Sequence, residues 1–129
     1  MGNPIILERL LDSVILIDHL NDIDQATQFI AGLDPRTTAI SVISLAEILV
    51  GLEGPFLKKG KILLDQYELL IIDRPIAEKA ADLRRKHGWK LPDAFQAALA
   101  IHHKMKLCTR NTKDFDPTKH PFVEIPYLV

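Results

Sequence analysis

Three observations predict an α/β fold with a short central parallel sheet flanked by helices on both faces. Short apolar runs of strand type alternate with stretches of helical periodicity along the chain. Gly and Pro mark the joins between them, at Gly32 to Pro35, Gly54-Pro55, Pro75 and Pro92. One helical stretch carries Ala94, Ala97, Ala98 and Ala100, small side chains that let a helix backbone approach a sheet closely. At 129 residues the chain fits one domain, 1–129, which is long enough to bury a core and too short for two.

Each element has its own signal. Glu8–Asp12 reads as a first strand, Val14–Leu20 as one or two helical turns, and Ile23 to Leu33 as a helix stopped by Gly32 to Pro35. Thr38–Ser41 is a second strand. Ser41 or Ser44 then caps a helix to about Gly51, and Gly54-Pro55 breaks the chain before a helix reaching Gln66. Leu69–Ile72 is a β-rich run. Pro75 opens a helix to about Lys86 with Ile76, Ala80, Leu83 and His87 on one face and Glu78, Lys79, Asp82, Arg85 and Lys86 on the other. A helix from Pro92 and a strand at Leu107–Thr109 complete the pattern. Ligands of such sheets bind beyond the carboxyl ends of the strands.

Composition narrows the class. Hydrophobic residues at 47% and charged residues at 26% are globular values and exclude a disordered chain. The single cysteine, Cys108, excludes an internal disulfide framework and thiolate metal clusters, and fits a reduced cytoplasmic setting. No apolar run approaches membrane-spanning length, and no signal peptide is evident. The net charge is -1, but residues 1–75 hold 6 Lys+Arg against 11 Asp+Glu, and residues 76–129 hold 10 against 6. That asymmetry permits a polyanion partner, and a mixed solvated surface gives the same count.

Four acids carry the chemical argument. Asp12, Glu47, Asp93 and Asp114 each lie where an apolar segment ends or a helix begins, and the predicted topology allows them to converge at one sheet edge. Clustered carboxylates drift toward protonation unless a cation balances them. Oxygen ligands with few His or Cys nearby select Mg²⁺ or Mn²⁺ over zinc. Such a site suits phosphodiester hydrolysis by an activated water.

Each acid also has a structural explanation. Ser44-Leu45-Ala46-Glu47 matches a capping box, Asp93 suits a helix N-terminus, and Asp114 and Asp12 suit turns. Asp12, between Leu10-Leu11 and Val14-Ile15-Leu16-Ile17, is the hardest to explain without a partner.

Read together, Leu10-Leu11-Asp12-Ser13-Val14-Ile15-Leu16-Ile17-Asp18, Ile40 to Gly51 around Ser44 and Glu47, Leu91-Pro92-Asp93-Ala94, and Thr109-Arg110-Asn111-Thr112-Lys113-Asp114-Phe115 resemble the PIN-domain family over essentially the whole chain. They look most like its VapC-type toxins. The resemblance implies a PIN-like fold, Mg²⁺-dependent ribonuclease activity, and a type II toxin–antitoxin pair in which a small antitoxin protein covers the site. A homodimer is implied as well.

Carried over by position, Asp12 is the first metal ligand, Glu47 the acid of the second motif, and Asp93 the third acid. Asp114 or Asn111 completes the shell. The family usually has Asn where this chain has Val14, which leaves Ser13 to orient Asp12. For RNA, Arg110 is the first basic residue expected to touch substrate, with Asn111 and Ser13 beside it. Arg84, Arg85, Lys86, Lys90 and Lys113 lie nearby in sequence. Trp89 reads either as a base-stacking platform or as core. His19, His102, His103 and His120 receive no role. A PIN nuclease of RNA maturation with no toxin role and an inactive PIN-fold binding module are the alternatives.

Overall fold

The computed structural model describes residues 6–129. Its five strands are β1 (Arg9–Leu11), β2 (Thr38–Ser41), β3 (Glu68–Leu70), β4 (Lys106–Cys108) and β5 (Val123–Glu124). All pair in parallel, in the order β3-β2-β1-β4-β5. The helices are α1 (Ser13–Leu20), α2 (Asp24–Ala31), α3 (Val42–Val50), α4 (Pro55–Leu64), α5 (Arg74–His87) and α6 (Leu91–His102), with a 3₁₀ turn at Pro35–Thr37.

Alternation along the strands explains the layers. Leu10, Ala39 and Leu107 join the core under α5 and α6, whereas their neighbours Leu11, Ile40 and Cys108 join the core under α1, α3 and α4. A parallel sheet buried on both faces needs no polar side of its own, which is why these strands read as continuous apolar runs. Ala94, Ala97, Ala98 and Ala100 are all fully buried, so the small-residue face of α6 does lie against the sheet.

The expected strands and helices appear, the second strand with the expected bounds and the others shifted. The third strand is Glu68–Leu70 rather than Leu69–Ile72, and Ile71 is exposed. The fourth is Lys106–Cys108, so Thr109 lies just past its end. Ser41 is the cap of α3, its Oγ accepting from the Ser44 N–H at 3.0 Å. Gly88, at φ 73°, ends α5 in the left-handed region that favours glycine. The two-residue β5 had no sequence expectation. It follows the turns around Asp116 to Phe122, and two residues carry too little periodicity to read.

Strand order places the site. From β1 the sheet runs to β2 on one side and to β4 on the other, so the chain changes direction between β1 and β4. Connections leave this switch point to opposite faces and open a crevice beyond the carboxyl ends of those strands. Asp12 follows β1 and Thr109-Arg110-Asn111 follows β4.

Candidate active site

A cleft of about 300 Å³ opens at this switch point, lined by Asp12, Ser13, Val14, Glu47, Pro92, Asp93, Gln96, Arg110 and Asn111. Asp12 is the N-cap of α1, and its carboxylate is held from three directions. The Ser13 backbone N–H donates to Oδ1 at 2.8 Å, the Thr109 hydroxyl donates to Oδ2 at 2.8 Å, and Gln96 Nε2 approaches Oδ1 at 3.4 Å. Thr109 and Gln96 were not anticipated as site residues. The one follows a strand that read as ending on it, and the other sits among alanines as part of an apolar helix face.

The orienting role expected of Ser13 therefore belongs to its backbone. Its side chain acts instead on Glu47, where it opposes a rise in the carboxyl pKa caused first by burial and then by the Asp12 charge. Because Ser41 rather than Ser44 caps α3, the capping-box explanation of Glu47 drops out. Ser44 is buried, and its Oγ accepts from Gln96 Nε2 at 2.6 Å. Gln96 thus links the helix bearing Glu47 to the one bearing Asp93, and its own Oε1 is buried without a hydrogen-bond partner among the described residues.

Asp93 is in the first turn of α6, where the helix dipole favours its anion. The neighbourhood wins over the dipole. Burial, then repulsion from Asp12, Asp114 and Glu47, pushes its pKa up to about 6, with Lys90 opposing. Three other acids thus act on Asp93 at this end of the sheet.

The fourth corner divides between two residues. Asn111 lines the cleft, and Asp114 stands behind it. Asn111 Nδ2 donates to Asp114 Oδ2 at 3.0 Å, and the Asp114 N–H donates to Asn111 Oδ1 at 3.3 Å. Asp114 reaches the site through its charge on Asp93 and through this amide, and is not itself a wall of the cleft.

Trp89 takes the core reading, and Arg110, expected at the substrate, has a partner within the chain. Trp89 is 4% exposed; its Nε1 donates to the Asp114 carbonyl at 3.1 Å, and it stacks on His87 at 4.2 Å between ring centroids. It braces the loop carrying Asp114 and offers no open face to a base. Arg110 lines the cleft but is not a free cation. Its Nε and Nη2 donate to the two oxygens of Asp18 at 2.6 and 2.9 Å, and the Tyr127 hydroxyl donates to Asp18 Oδ2 at 2.8 Å. Arg84 donates to the Trp89 carbonyl, and Arg85 pairs with Asp82 on the solvated face of α5.

Metal chemistry can be tested against these donors. Among the described residues, no group of three or more His, Cys, Asp or Glu side chains is placed to hold a metal ion. Asp12, Glu47 and Asp93 instead line an open cleft. Mg²⁺ keeps several waters and takes one or two carboxylates, so hard oxygen donors around an open cleft fit it, whereas the tight cage of structural zinc is absent.

The PIN-domain model matches residues 9–120. The chain belongs to the PIN-domain family. PIN domains are generally nucleases and typically use divalent metals. A chain in a toxin–antitoxin complex from Klebsiella pneumoniae is similar at 35% identity, covering 95% of this chain and 100% of that one, with a TM-score of 0.87. FitAcB from Neisseria gonorrhoeae is similar at 24% identity, covering 92% and 97%, with a TM-score of 0.73. VapBC2 from Rickettsia felis, bound to a DNA fragment from its promoter, is similar at 23%, covering 92% and 98%, also at 0.73. The last two likenesses show the PIN fold alone. No curated protein matches the chain. The toxin resemblance of the motifs agrees with the Klebsiella neighbour, which comes from a toxin–antitoxin complex.

Proposed function

We propose that this PIN domain is a Mg²⁺-dependent endoribonuclease and the toxin of a toxin–antitoxin pair. The observation that carries the nuclease reading is the unbalanced charge at the switch point. Asp12, Glu47 and Asp93, from three separate elements, line one cleft, and their repulsion helps hold Asp93 near pKa 6. A divalent ion would reverse that repulsion.

Asp12 and Asp93 would bind the ion directly, with Glu47 and the Asn111–Asp114 pair completing its shell through oxygen or water. When bound, the ion supplies Lewis acidity toward a phosphodiester and activates water; Mn²⁺ has the same preference for oxygen. Thr109, the Ser13 N–H and Gln96 keep the Asp12 carboxylate in place, and a fixed carboxylate loses little freedom when it binds. The guanidinium edge of Arg110 not engaged by Asp18 is available to a phosphate.

The antitoxin assignment draws on the Klebsiella likeness and on a second groove. That groove, about 670 Å³, is lined by His19, Leu20, Leu52, Phe56 and Lys59 among others, and Phe56 is 68% exposed. An amphipathic helix of a small partner fits such a surface, and a homodimer contact is proposed alongside it. Cytoplasmic location goes with an RNA substrate. Among the described residues no helix is long and apolar enough to cross a membrane.

The test is RNA cleavage by purified protein with Mg²⁺ and with chelator, run beside Asp93→Asn, together with growth on expression of each. The proposal expects cleavage and growth arrest for the wild type only, and cleavage only with the ion. Equal cleavage by Asp93→Asn would overturn it.

A further inference from the structure

Arg110 poses a problem that the nuclease reading does not solve. A guanidinium lining the same cleft as three carboxylates is a ready competitor for the ion they would bind, because Arg pairs with carboxylates in bidentate geometry. Yet among the described residues its only ion-pair partner is Asp18, about one and two-thirds turns along α1 from the cap Asp12.

The pairing is built to persist. Asp18 is 6% exposed, it accepts both guanidinium bonds, and it takes a third from Tyr127, which comes from 109 residues away in sequence. The Tyr127 ring in turn lies 6.4 Å from that of Phe29 on α2. Leaving a carboxylate this buried unpaired is expensive, so the cheapest arrangement keeps Arg110 on Asp18.

We infer that Asp18 and Tyr127 are positioning residues that restrain Arg110, holding its guanidinium at the cleft edge and keeping it from closing onto Asp12, Glu47 and Asp93. The inference rests on the metal-dependent reading of the cleft. Its signature is an opposition between two substitutions. Loss of the restraint alone releases a tethered cation into the acid cluster, whereas loss of the restraint and the cation together leaves the cluster free. A purely structural role for Asp18 gives the opposite pattern, in which the double variant is no better than the single one.

The test is calorimetric titration of Mg²⁺ into the protein without RNA, with circular dichroism to verify folding. Asp18→Asn is expected to weaken Mg²⁺ binding by about tenfold, the usual scale for groups that support ligands. Adding Arg110→Gln is expected to restore binding to within about twofold of wild type. Tyr127→Phe, which removes only the hydroxyl and leaves the Asp18–Arg110 pair in place, is expected to weaken binding less, and it carries the test if Asp18→Asn fails to fold.

Unchanged binding in the folded single variants, or a double variant no tighter than the single, overturns the restraint and leaves the nuclease reading standing. A wild type that binds no Mg²⁺ overturns the nuclease reading and the restraint with it, and that failure is visible in the wild type alone.

Discussion

Two carboxylates near the carboxyl end of the same sheet have opposite fates. Asp18 is almost fully buried, and its pKa is lowered, first by the hydrogen bonds from Arg110, with Tyr127 adding to them. Asp93 is only partly buried, and its pKa is pushed up to about 6, because its neighbours beyond the burying walls are Asp12, Asp114 and Glu47. Burial by itself does not separate a structural acid from a functional one. What separates them is whether the chain supplies the balancing charge. At Asp18 it does; at Asp93 it supplies more of the same sign, and on the proposed reading an ion supplies the balance.

Substitutions at the two places should therefore diverge. The largest effect is expected for Asp93→Asn on catalysis. On the proposed metal-dependent reading, losing a direct ion ligand worth several kcal/mol should lower RNA cleavage by about 10³-fold, read in a single-turnover assay with excess Mg²⁺. Next is Arg110→Ala, which strands the Asp18 carboxylate and should destabilise the fold by about 3 kcal/mol, near the low end for a broken buried pair because the Arg110 side chain is 29% exposed. Urea unfolding measures it. If Arg110→Ala proved neutral, the contrast between balanced and unbalanced acids would lose one side.

Smaller effects sharpen the same contrast. The folded-state pKa of Asp93, about 6, lies above its ordinary value of 3.8. Between those values the folded chain keeps a proton that the unfolded chain has lost, so stability falls as pH rises through that window. At neutrality the cost is about 2 kcal/mol, after allowance for partial exposure. Asp93→Asn removes it, so the variant should unfold at higher urea than wild type at pH 7 and at nearly the same urea at pH 4. Mg²⁺ at pH 7 should narrow the gap by stabilising the wild type alone. The smallest effect is expected for Ser41→Ala, which removes the α3 cap and should cost about 1 kcal/mol in the same unfolding experiment.

How far the sequence could be read follows from what each feature depends on. Layering was legible because Leu10 and Leu11, or Ala39 and Ile40, point to opposite faces by the geometry of a strand, and both faces need apolar cover. Asp12 stood out because a charge inside an apolar run demands a partner, and Asp93 followed a helix-starting proline. The partners themselves were not legible. Thr109 and Gln96 meet Asp12 across 97 and 84 residues, and Asp18 meets Tyr127 across 109, separations that leave no local periodicity. The Arg110–Asp18 pair was hidden in the same way: sequence shows a cation near acids and does not show which acid holds it.

The central claim is that the unbalanced acids at the switch point cut RNA. Sequencing of RNA 5′ ends after brief induction, wild type beside Asp93→Asn, tests it most directly, since it reads activity and target together. The account predicts new ends at discrete positions in the wild-type sample and none above background with Asp93→Asn. The same ends in both samples, or in neither, would contradict it.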